Sequence, residues 1–295
     1  MSRIPVLKTY KIYIGGQFPR SESGRFYEVN DQSGSHIANV CLCSRKDFRN
    51  AVVAASNAQS SWAEKTAYNR SQILYRIAEI LEGRKSQFIE ELKLTGFSEK
   101  SAILETETAI DRLIYFAGWA DKYQQLFSSV NPVSGSFFNF SVLEPMGVVS
   151  VIAPNNSPLV GLVSLIASLI AGGNTCIVLA AEEHPFAAIS FAEVLNSSDV
   201  PAGVVNILTG NTKELLEHFV SHIDVKAICF GRNDEFEIKK ITELASVSVK
   251  RVILMNDVAD WNSNEFENPY AIKNFQEVKT TWHPIESIGI SGAKY

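Results

Sequence analysis

The apolar positions change period along the chain. Over the first sixty residues they fall in short runs, Lys11–Ile14, Arg25–Val29 and Ile37–Cys43, separated by Gly15-Gly16 and by Asp31-Gln32-Ser33-Gly34. Such runs between turn residues predict strands. The spacing then becomes helical. Ser44-Arg45-Lys46-Asp47 reads as a helix start, and Phe48–Ala63 carries Val52, Ala55, Ala58 and Trp62 on one face. Tyr68–Gly83 repeats the pattern with Ile73, Leu74, Ile77, Ile80 and Leu81, and Lys85–Leu94 ends before Gly96, a helix-stop signal. Glu99–Leu126 predicts one long helix whose buried stripe includes Ile103, Leu104, Ile110, Leu113, Phe116 and Ala117. After the turn Asn131–Gly135, Ser136–Val142 alternates as an exposed strand.

From Val148 onward five apolar strands alternate with helices: Val148–Ala153, Thr175–Ala180, Val204–Leu208, Lys226–Phe230 and Lys250–Met255. The intervening helices are Ser157–Ala171, Pro185–Asn196, Lys213–Ser221 and Glu235–Ala245. Ser157 is expected to cap the first of them, with Pro158 at its first position. Strands that are apolar throughout are buried on both faces, so the fold class is α/β with a doubly wound parallel sheet. After Trp261 a polar linker, Asn262–Glu265, leads to Phe275–Trp282, an isolated late strand. Such a strand must pair with the earlier hairpin or with another chain.

Composition narrows the class. Of 295 residues, 46% are hydrophobic and 20% charged, which supports a large core and excludes a disordered chain. The net charge is -5 with no basic cluster, which argues against a nucleic-acid partner. No charged residue occurs from Pro145 to Ala181, but Pro154–Pro158 and Gly172-Gly173-Asn174 divide that run into pieces too short for a membrane span. No signal peptide is evident, and a soluble, cytoplasmic protein is expected.

The sequence carries few motifs of catalytic chemistry. Neither GxGxxG, nor a GxxxxGK[ST] loop, nor a Tyr-x-x-x-Lys pair is present. His218 and His222 lie four apart, a spacing able to ligate a metal. Phe219 stands where HExxH needs an acid, so a solvated helix face is expected and no metal site. Cys41 and Cys43 share a strand face, and Cys176 and Cys229 fall inside apolar strands, so all four read as buried structural thiols.

Several stretches together resemble the aldehyde dehydrogenase superfamily across almost the whole chain. They are Ile14-Gly15-Gly16, Glu144–Val149, Ala153–Pro158, Gly173-Asn174-Thr175 and Pro201–Gly210. The closest resemblance is to the shortened second module, without a catalytic Cys, of a tandem-module branch. The resemblance implies a cofactor-type, Rossmann-like domain over 1–130 and 146–262. It further implies an oligomerisation arm over 131–145 and 263–295, with the catalytic domain absent. Asn156 matches the family's oxyanion Asn. Candidate cofactor-binding residues are Asn156, Glu182, Gly231 and Arg232. At the family's ribose-binding Lys stands Leu179, Arg232 replaces a small Ser at the pyrophosphate, and Met255 replaces the general-base Glu. A thioether cannot accept a proton. The implied function is that of a pseudoenzyme. It would serve as a structural subunit for an active aldehyde dehydrogenase chain, or pair with itself, through Ser136–Leu143 and Phe275–Trp282. No cofactor is then expected. The alternative is a residual NAD(P)-binding oxidoreductase.

Overall fold

A computed structural model describes residues 8–31 and 33–285. The outer ends of the domain ranges (1–7 and 286–295) and Gln32 of the predicted turn lie outside the described residues. The chain opens with an antiparallel hairpin, β1 (Phe26–Asn30) and β2 (His36–Cys41). Four helices follow: α1 (Arg45–Ala63), α2 (Ala67–Gly83), α3 (Lys85–Leu94) and α4 (Glu99–Trp119), then the single turn α5 (Tyr123–Phe127). β3 (Ser129–Asn131) and β4 (Phe137–Pro145) lead into the central unit. That unit runs β5 (Val148–Ile152), α6 (Val160–Ala171), β6 (Thr175–Leu179), α7 (Pro185–Asn196), β7 (Val205–Leu208), α8 (Thr212–Ser221), β8 (Val225–Phe230), α9 (Glu235–Ser246) and β9 (Arg251–Leu254). α10 (Tyr270–Lys273) and β10 (Gln276–Pro284) complete the described chain.

The five central strands form a parallel sheet in the order β7-β6-β5-β8-β9. Successive strand residues point to opposite faces, so each strand feeds two cores. Val149, Val151, Cys176 and Val178 enter the core under α2, α4, α6 and α7. Val148, Ile152, Ile177 and Leu179 enter the core under α1, α8 and α9. Every residue of α6 is buried, which accounts for the charge-free run: the helix is enclosed between sheet and outer helices. Among the described residues no helix is long and apolar enough to cross a membrane.

Three expectations are corrected. The long helix over 99–126 breaks at Ala120–Lys122 and resumes as α5. Lys11–Ile14 forms no ladder; Tyr13 instead exchanges backbone hydrogen bonds of 2.9 and 2.8 Å with Ile207, beside β7. Leu104 is exposed, whereas Glu105 is buried. The buried stripe of α4 runs Ala102, Glu105, Ala109, Leu113 and Phe116, one residue away from the expected line at its N-terminal end.

β10 pairs antiparallel with β4 along its whole length, and β3 pairs on the other side, giving a separate sheet ordered β10-β4-β3. The linker before it is anchored. Arg112, fully buried in α4, donates to the carbonyl oxygens of Trp261 and Ser263 and forms an ion pair with Glu267 at 3.1 Å.

Candidate functional site

In an open doubly wound sheet the ligand crevice lies beyond the carboxyl ends of the strands, where the strand order reverses. Here the chain runs from β5 outward through β6 and β7, then crosses to β8 and β9. The reversal lies between β5 and β8, and the loops after these strands carry Ala153–Pro158 and Gly231–Asp234.

Arg232 follows β8 and reaches across the crevice. Its Nε donates to the carbonyl oxygen of Ala153 at 2.9 Å, and its Nη1 to the Thr212 hydroxyl at the start of α8 at 2.7 Å. Nη2 is buried without a hydrogen-bond partner. Burial lowers the guanidinium pKa, and Glu237, Glu182 and Asp234 oppose the shift through their charge. Beside it, the Glu182 carboxylate accepts from Asn211 Nδ2 at 3.1 Å, and the Asn211 side-chain oxygen accepts from the amide of Lys213 at 2.9 Å, capping α8. The Asp234 carboxylate caps α9, accepting from the amide of Glu237 at 2.9 Å.

Gly231 has a packing role. A Cβ there would lie 2.9 Å from the carbonyl oxygen of Ile152 and 2.9 Å from the ring of Pro154. Such separations are sterically forbidden, so only glycine lets β8 leave the sheet this close to β5. Asn156 is exposed on the rim, between two cavities that both reach Trp261. The cavity of about 350 Å³ contains Arg232, Glu237 and Met255. The other, of about 630 Å³, contains Glu105, His184 and Asn262. The structure thus brings Asn156, Gly231 and Arg232 around one cavity, with Glu182 in the hydrogen-bonded layer behind it.

Glu105 and His184 were not legible as site residues. Ser157 was expected to cap α6, but the α6 entry carries no side-chain cap of its own. Instead one oxygen of the Glu105 carboxylate accepts from the amides of Leu159 and Val160, both at 3.0 Å. Burial raises the Glu105 pKa to about 7, opposed by the two amides and by Asn262. Helical spacing from Ala102 and Ala109 puts position 105 on the buried face, and a carboxylate there was the available signal. His184 packs edge-on against Phe97 at 5.2 Å, and burial lowers its pKa, so the imidazole is neutral near pH 7. The four cysteines are free and buried. Burial raises the thiol pKa values of Cys43, Cys176 and Cys229 far above the ordinary value. Among the described residues no group of three or more His, Cys, Asp or Glu is placed to hold a metal.

Residues 18–257 match the aldehyde dehydrogenase family. The chain belongs to this family. It is 33% identical over 254 residues to DhaS of Bacillus subtilis, covering 83% of this chain and 50% of DhaS. It is 32% identical over 261 residues to the cytosolic 10-formyltetrahydrofolate dehydrogenase of Pongo abelii, covering 85% of this chain and 28% of that protein. Among solved structures, the NAD+ complex of aldehyde dehydrogenase from Bacillus cereus superposes with a TM-score of 0.80 at 27% identity, covering 84% of this chain and 50% of that one. The chain therefore spans half or less of the length of these relatives.

Family membership makes NAD(P) the cofactor to test against the crevice. The residues present do not accommodate a dinucleotide as they stand. Leu179 is wholly buried in β6 and offers no polar group. The Glu182 carboxylate is already engaged by Asn211. A guanidinium spans the reversal point, and both adjacent helix N-termini are capped by the chain's own side chains.

Proposed function

We propose that this aldehyde dehydrogenase family chain is a non-catalytic, partner-binding subunit. It docks through β4 and β10 against the catalytic domain of an active aldehyde dehydrogenase chain, with pairing to a second copy of itself as the variant of the same reading. The carrying observation is β10. Among the described residues this nine-residue strand forms the outer edge of its sheet, with Val278 62% and Trp282 59% exposed. An unpaired edge is a template for another chain's strand.

The register accounts for the surface on offer. Val278 lies opposite Leu143, Thr280 opposite Ser141 and Trp282 opposite Asn139. Ser141 and Thr280 hydroxyls share a 2.8 Å hydrogen bond, and Phe137 packs edge-on against Trp282 at 5.8 Å on that face. Phe138 and Phe140 lie on the opposite face, 5.5 Å apart. A three-stranded ribbon with aromatics on both faces has no core of its own and gains stability when covered. The buried cysteines and Met255 support the absence of chemistry, because a nucleophile needs an accessible thiolate and a base needs a titratable group.

The test is affinity purification of the tagged protein from its native extract, with the accompanying chains quantified by mass spectrometry. An aldehyde dehydrogenase in near-equal amount, or a stable self-assembly by native mass spectrometry, is expected. A monomer with no companion chain overturns the reading.

A further inference from the structure

We propose that Arg232 closes the ligand crevice of this sheet with the chain's own guanidinium, so that the protein takes no dinucleotide pyrophosphate there. The reversal between β5 and β8 is the place where an open α/β sheet receives its ligand. Arg232 bridges that gap, bonded at Nε to Ala153 just past β5 and at Nη1 to Thr212 at the first turn of α8. The partly buried head group is tethered through Nε and Nη1, while Nη2 has no hydrogen-bond partner.

Charge points the same way. The groups whose fields act on the guanidinium are Glu237, Glu182 and Asp234, three carboxylates around one cation. Three carboxylates against one guanidinium leave the surroundings net negative for an entering diphosphate even with Arg232 in place, and Arg232 occupies the space. Helix N-termini ordinarily supply the amides that receive phosphate. At α9 the amide of Glu237 is taken by Asp234, and at α8 the amide of Lys213 is taken by Asn211. One amide at each of these ends is therefore engaged internally, and Asp234 adds a charge of the wrong sign for phosphate.

The unpartnered Nη2 of Arg232 supplies the competing outcome. If it were an anion anchor, free pyrophosphate would stabilise the wild-type protein and the effect would vanish when the guanidinium is removed.

The experiment uses the full chain. NAD+, NADP+ and inorganic pyrophosphate are titrated by calorimetry into wild type, Arg232→Ser and the double variant Arg232→Ser with Glu237→Gln, each checked for native circular dichroism. Wild type is expected to show no saturable binding up to about 1 mM, and the folded double variant to bind NAD+ at least about tenfold more tightly than wild type. Saturable wild-type binding of NAD+, NADP+ or pyrophosphate overturns the proposal. So does a folded double variant that gains nothing. If the serine variants fail to fold, Arg232→Gln, which keeps a donor within reach of Ala153, replaces them and is read by the same gain in binding.

Discussion

At the scale of single residues, the α6 entry is governed by a side chain from another helix. Two buried amides need an acceptor, and Glu105 provides it from α4. Its pKa, raised from 4.5 to about 7, has a definite consequence for stability. The folded state holds this proton more tightly than the unfolded state. The stabilisation is fully present below pH 4.5 and is lost as the pH rises through about 7. The loss is on the order of 3 kcal/mol. Glu105→Gln is expected to flatten that part of the stability profile in urea unfolding at several pH values. Glu105→Ala, which strands both amides, should cost about 2–4 kcal/mol. Gly203 makes a separate residue-scale prediction. Its φ is +89° and a Cβ would lie 2.4 Å from the Ala54 carbonyl oxygen. Gly203→Ala should destabilise by roughly 2–5 kcal/mol, from left-handed strain together with forced repacking of α1 against the β7 entry.

At the scale of elements, the arm is held to the core by two buried amides. Asn174, between α6 and β6, accepts from the amide of Gly147 at 3.1 Å and donates to the carbonyl oxygen of Phe275 at 3.0 Å. Gln276 donates to the carbonyl oxygen of Gly172 at 3.2 Å. The Gly173-Asn174-Thr175 stretch that helped carry the family resemblance is thus a joint between sheet and arm. Asn174→Ala should lower stability by about 2–4 kcal/mol, because it leaves buried backbone groups unpaired. The exposed side chains of β10 behave oppositely. Replacing Val278 and Trp282, both more than half exposed, with Asp should change unfolding stability by less than about 1 kcal/mol. The same double variant should abolish recovery of the partner chain. A double variant that still recovers its partner would place the contact elsewhere.

At the scale of the whole molecule, the parallel sheet is enclosed on both sides and the thiols report its integrity. Cys176 and Cys229 point into the core under α6, while Cys43 belongs to the core under α1. A thiol-specific chromogenic reagent should find no reactive cysteine in the native protein and four after unfolding in urea. Early reaction of Cys41 or Cys43 alone would reveal an N-terminal hairpin that opens before the sheet. The same enclosure accounts for the stretch without charges: α6 lies between sheet and helices, where ionised groups would lack water or partners.

Much of this is readable in the sequence alone, since periodicity reports burial directly. Alternating apolar strands and helices established the doubly wound sheet, and Ser44 with Asp47 marked the α1 start that the structure realises as a capping box. The stop signal at Gly96 and the late strand, expected at Phe275–Trp282 and found at Gln276–Pro284, were also legible, because each depends on neighbours in sequence. Contacts between distant elements were not. Glu105 on the α6 amides, Arg112 on the linker, Asn174 on the arm and Arg232 across β5 and α8 join residues far apart in sequence. An Arg at position 232 can mean an attracted phosphate or a filled crevice, and the residue type is identical in both cases. Local pattern determined which segments are helices, which are strands and which faces they bury, because those follow from short-range sterics and hydrophobic spacing. Only the tertiary structure decided what the polar groups at the carboxyl ends of the strands bind, because their partners arrive through the crossing of chain segments that no local period records.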